Sequence, residues 1–137
     1  MIKKTIKFTD YDGNERTKDY WFNLNRRELT EMEMRQKNGM EAMLKKMVEE
    51  EDRDRLIDFF KELIEMSIGE KSEDGQYFFK DPDIVRKFKA SEAYTELWLE
   101  LINNTEAAVA FVNGIIPQDI AEKAAEAQQA ANVLPMA

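Results

Sequence analysis

The chain has 137 residues, of which 35% are charged and 43% hydrophobic, with no cysteine, no histidine and a formal net charge of −8. That length fits one domain, and 10% aromatic residues fit a folded domain with a heavily charged surface rather than a disordered chain. The missing residue types exclude a disulfide framework, thiolate and Ser-His-Asp catalysis, and the usual zinc and haem ligands.

The charge is uneven: residues 1–27 carry seven Lys/Arg against four Asp/Glu, leaving −11 for the remainder. An acidic body repels phosphate backbones, so nucleic acid is not an expected partner. No segment approaches the length of a membrane span, and the N-terminus lacks the apolar core of a signal peptide. The expected location is the cytoplasm, with no membrane partner.

Ile2, Ile6 and Phe8 alternate with Lys3, Thr5 and Lys7, which predicts a strand with one buried face. Asp12-Gly13 is a hairpin signal, and a second strand follows over residues 15–22. An isolated hairpin is marginal in water, so this one must lean on helices or pair its free edge with another chain. Asn25 and Glu28 have the spacing of a capping box, with Leu24 and Leu29 placed as a hydrophobic staple. They predict a helix that ends at Asn38-Gly39.

Met40, Met43, Leu44, Met47 and Val48 predict a second helix over residues 40–50. The third, over residues 53–68, has an apolar face wider than a surface helix needs and reads as the central helix, ended by Gly69. Residues 69–80 read as a small second hairpin or an extended loop around Asp74-Gly75. Asp81-Pro82 opens a short helix, Ser91 caps the next, and Thr105 caps another that ends at Asn113-Gly114. The alanine-rich segment from Pro117 predicts an appended helix or a partner-binding tail.

The expected fold is therefore mainly α (α+β): an N-terminal β-hairpin (1–24) packed on a compact bundle of about five to six short helices (25–116), with an alanine-rich C-terminal helix or tail (117–137).

No phosphate-binding glycine motif is present, and the acidic runs, such as Glu49 to Asp54, read as solvated helix faces rather than a metal site. Asp10-Tyr11-Asp12-Gly13-Asn14 lacks the later glutamate of a calcium loop and reads as the hairpin turn. The expectation is a binding protein, not an enzyme, with no cofactor and no metal. Two features are candidates for partner binding. Met32, Met34, Met40, Met43 and Met47 fall within sixteen positions, where flexible thioethers serve either an irregular core or an adaptable binding surface. Tyr20, Trp21 and Phe22 alternate across the second strand, so one side is core and the other is open to a partner.

The order of motifs resembles a known family. Tyr20-Trp21-Phe22-Asn23-Leu24-Asn25 is followed by Glu28-Leu29-Thr30-Glu31-Met32-Glu33, then by Phe59-Phe60-Lys61-Glu62-Leu63-Ile64 and Ser67-Ile68-Gly69-Glu70-Lys71-Ser72-Glu73-Asp74-Gly75. Phe78 before Lys80, Ser91-Glu92-Ala93-Tyr94, and Phe111-Val112-Asn113-Gly114-Ile115-Ile116-Pro117 complete the set. Over residues 1–117 the chain resembles the short-form tail assembly chaperones of long-tailed phages and prophages of Gram-positive bacteria. The resemblance implies a helical, non-catalytic protein that coats the tape measure protein, keeps it soluble, helps recruit tail tube subunits and leaves before the virion is finished. Many members of that family are made in two lengths by a translational frameshift near the end of the short form. The alternative reading is a self-assembling, non-enzymatic adaptor of phage or host origin that associates through the free hairpin edge.

Overall fold

The computed structural model describes residues 1–36 and 39–120, with the side chains at positions 40, 41, 44 and 48 outside that description. Strands β1 (Ile2–Thr9) and β2 (Glu15–Phe22) pair antiparallel in full register, from Ile2 opposite Phe22 to Thr9 opposite Glu15. Their turn is fixed by Asp10, whose carboxylate accepts from the backbone N–H groups of Asp12 and Asn14 and from Arg16 Nε, and by Gly13 at φ +82°. A positive φ of that kind favours glycine, which accounts for Asp12-Gly13 as the turn.

The hairpin does not stand alone against a helical bundle, and here the expected fold class is corrected. The chain forms a four-stranded antiparallel sheet in the order β1-β2-β3-β4, completed by β3 (Ile68–Lys71) and β4 (Phe78–Phe79). With six helices among the described residues and a further helical turn at 118–120, the architecture is α+β, not a mainly α bundle carrying a hairpin. The physical cause lies at the end of α3 (Arg53–Ser67). Ser67 is fully buried and its hydroxyl donates to the Leu63 and Ile64 carbonyls, while its own carbonyl accepts from Asn23 N–H at 2.8 Å. The chain leaves the helix already paired with β2, and Ile68 continues as strand opposite Phe22.

Gly69 is therefore a strand residue and not the helix cap its position suggested. A Cβ there would lie 2.6 Å from the Phe78 ring and from the Phe79 carbonyl, so glycine is what lets β4 close over β3.

α1 (Arg26–Arg35) begins with the expected capping box: Glu28 N–H donates to Asn25 Oδ1 at 2.8 Å and Asn25 N–H donates to Glu28 Oε1 at 3.0 Å. α2 (Gly39–Glu49) starts at the glycine read as the stop of its predecessor, and Gly39 has φ +85°. α4 (Pro82–Lys89) carries proline in its first turn, and α5 (Glu92–Asn103) follows. Ser91 stands at the N-cap of α5 as expected, but its hydroxyl makes no capping bond and donates back to the Phe88 carbonyl instead. α6 (Thr105–Ile115) is capped by Asn104, whose side chain accepts from Ala107 N–H, and it runs through Asn113-Gly114 instead of stopping there. Gly114 is a close-approach residue, since a Cβ would meet Ile2 at 2.7 Å.

The core lies between one face of the sheet and helices α3 to α6. Phe22, fully buried, packs edge-to-face on Phe88 and Phe111 with ring centroids 5.7 and 5.2 Å away. Leu63, Ile64, Ile68, Leu97, Leu101 and Ile115 close around them. The alanine-rich helix or tail expected from Pro117 falls, beyond residue 120, outside the described residues.

Candidate partner-binding site

α1 and α2 are attached to the core differently from the rest of the chain. No residue of α1 is buried. The helix is held at its start, where Leu24 is buried and Glu28, besides capping, binds Lys80 Nζ through both carboxylate oxygens at 2.7 Å. Burial pulls Lys80 below the usual lysine value, while the Glu28 carboxylate beside it opposes that shift. Arg26 adds an exposed ion pair to Asp119, which holds that carboxyl below the usual range.

Past this anchor α1 runs across α3 with a groove on each side. The larger, about 500 Å³, is lined almost wholly by apolar side chains: Leu24, Leu29 and Met34 on one wall, Phe59 and Leu63 on the floor, and Val112, Ile115, Ile116 and Ile120 on the other wall. Met34, 81% exposed, stands at its rim. The smaller, about 210 Å³, holds Met32, Met43 and Met47 against the same Phe59 and Leu63, with Arg35, Arg55, Asp58 and Glu62 around it. Phe59 and Leu63 are thus shared by both grooves, which together make the trough on α3; the larger is mostly apolar, and half of the smaller one's lining is polar or charged.

The residues singled out from sequence separate into three places. Met32, Met43 and Met47 come together in the smaller groove and Met34 lies on the larger. Met47 is also buried, so it serves the core as well. The side chain of Met40 is outside the described residues. Tyr20 and Phe22 belong to the core face of the sheet, where Tyr20 packs on Phe88 with centroids 4.9 Å apart. Trp21 lies on the opposite face, half-buried, with Lys3 and Lys71 ammonium groups 5.7 and 5.1 Å from its ring. Such contacts are worth about 0.5–1 kcal/mol each at exposed sites. The hairpin aromatics and the methionines therefore form no common surface.

Leu29, Phe59, Val112, Ile116 and Ile120 line the trough without having been marked as binding residues. The signal for Phe59 was present in the excess width of the α3 apolar face. A face wider than the core can cover leaves a stripe over, and that stripe is the trough floor.

Among the described residues no group of three or more Asp/Glu is placed to hold a metal ion. Among them, too, no helix is long and apolar enough to cross a membrane. What the geometry offers is apolar area with adaptable side chains and a charged rim, which suits another polypeptide.

A protein-family model described as phage tail assembly chaperone matches residues 1–135, so the likeness continues past Pro117, where the sequence motifs ended. No curated protein and no solved structure matches the chain. With nearly its whole length matched, the chain belongs to the phage tail assembly chaperone family.

Proposed function

We propose that the protein serves tail assembly by holding the tape measure protein, keeping it soluble and helping to bring tail tube subunits to it. The observation that carries this reading is the apolar trough on α3, open on both sides of α1 and lined by Phe59, Leu63 and methionines. A tape measure protein is a long, largely apolar helix, and an apolar helix docks by setting side chains at i, i+3, i+4 and i+7 into a groove. Each large side chain so buried contributes roughly 1.5–3 kcal/mol of transfer free energy before the cost of association. The acidic exterior keeps the complex in solution.

On this reading the protein is a binding partner and not a catalyst, acts in the host cytoplasm without cofactor, metal, nucleic acid or membrane, and is absent from the finished virion. Co-expression with its tape measure protein tests the proposal: the client is expected in the soluble fraction and to co-purify, and an insoluble client that does not co-purify would remove the claim.

One observation favours the adaptor reading, that β1 is an edge strand with a partner on one side only. Its charged side chains are all lysine, Lys3, Lys4 and Lys7, so two copies joined edge to edge through β1 would repel. Light scattering of the isolated protein decides between the two, since a stable closed oligomer without client supports the adaptor.

A further inference from the structure

The sheet contains a second open edge, in its interior. β2 is eight residues long, yet only Trp21 and Phe22 pair with β3, opposite Gly69 and Ile68. Beyond Gly69 the chain turns toward β4, with Glu70 opposite Phe79 and Lys71 opposite Phe78. Residues 15–19 are exposed. The direction of their backbone groups follows from the ladder. Asn23 N–H donates to Ser67 O, and Trp21 pairs with Gly69, so both face β3. Alternate residues of an antiparallel strand direct their N–H and C=O groups to the same side. Asp19 and Thr17 therefore direct theirs into the gap that β3 has left.

That gap is the mouth of a groove of about 480 Å³ between β2 and α4. Its floor is Tyr20 and Phe88, its far wall Ile84 and Lys87. Lys18, on the same face of β2 as Tyr20, stands on the near wall with its ammonium 6.0 Å from the Tyr20 ring. Among the described residues neither Lys18 nor Lys87 takes part in an ion pair. The neighbouring Asp10 is already taken by Arg16, and Asp19 accepts the Thr5 hydroxyl on the other face of the sheet. Glu70, at the β3 end, is the remaining acidic group beside the groove.

We infer that this notch is a strand-addition site for an extended, acidic segment of a partner protein. Unpaired donors and acceptors at Thr17 and Asp19 supply main-chain hydrogen bonds. Apolar side chains of the guest meet Tyr20 and Phe88, and carboxylates meet Lys18 and Lys87. A second copy entering through β1 is opposed by charge, because β1 would bring Lys3, Lys4 and Lys7 to two lysines. The site lies on a different face from the α3 trough and does not depend on what the trough binds.

The test uses the full chain and a short fluorescein-labelled peptide of alternating valine and glutamate, read by fluorescence anisotropy. Saturable binding is expected. It should weaken at least tenfold in Thr17→Pro, which removes an N–H aimed into the gap while sparing the ladder to β1. The same loss is expected in the double variant Lys18→Glu/Lys87→Glu, and for a peptide with lysine in place of glutamate. Circular dichroism of each variant should match the parent; if Thr17→Pro does not fold, the double variant decides alone. Absence of saturable binding, equal affinity for the lysine peptide, or unchanged affinity in a folded variant would overturn the proposal. So would sedimentation showing a dimer that the variants dissociate, which would make the occupant a second copy.

Discussion

Two regions of this molecule bury apolar side chains in opposite ways. Around Phe22 the sheet and helices α3 to α6 interlock, with aromatic rings edge-to-face and several side chains at zero exposure. Around Phe59 the same helix α3 turns its other side to α1, which has no fully buried residue, and to a methionine-lined trough. The difference teaches how a small protein can offer a sticky surface and remain folded. One face of α3 carries the stability, and the other is left partly uncovered; on the proposed reading that uncovered face is where a client docks.

The sharpest way to break this comparison is at the closed side. Phe22→Ala is expected to cost about 3–5 kcal/mol, as large core truncations do, and chemical denaturation measures it. Next comes Gly69→Ala, where a Cβ has no room against Phe78 and the Phe79 carbonyl. Overpacking of that kind costs roughly 1–3 kcal/mol, and hydrogen exchange of β3 and β4 should show the loss locally.

Smaller effects probe the open side. Glu28→Ala removes half of the capping box and the partner of Lys80, with an expected cost of about 1–2 kcal/mol and faster amide exchange confined to α1. Met34→Ser should change stability by less than about 0.5 kcal/mol, since the residue is exposed, while weakening client binding.

The smallest effect is electrostatic. Hydrogen bonds from Arg16 and Asn14 hold the Asp10 carboxyl below its ordinary value of 3.8. A depressed carboxylate stabilises the fold above its unfolded value, and the contribution is lost as pH falls through the folded one. Asp10→Asn should therefore flatten the stability profile below about pH 4 and leave the rest unchanged.

Much of the local structure was legible, because its causes are local. Asn25 and Glu28 announced the start of α1, Pro82 that of α4, and Asp12-Gly13 the hairpin turn. The second hairpin was legible as one of two readings around Asp74-Gly75, but its pairing with β2 into one four-stranded sheet was not. β3 is four residues and β4 two, too short for a period-two signal, and Gly69 carries the same symbol as a helix cap while serving close backbone approach. The site was half legible. Methionine clustering pointed to the two helices that border the grooves, but periodicity shows that a face is apolar without showing whether the core covers it. Phe22 proved to be covered and Tyr20 only partly so, and Phe59, read as central, proved to be half open.

The central claim is that the α3 trough, and not the packed core or the hairpin aromatics, holds the client. Its most direct test is co-expression of the tape measure protein with the parent chain and with the folded variant Leu29→Ser/Phe59→Ser, measuring soluble client and the amount co-purified. The account predicts a soluble, co-purifying client with the parent and loss of both with the variant, whose own circular dichroism is retained. A folded variant that keeps the client as soluble and as tightly held as the parent does would contradict it.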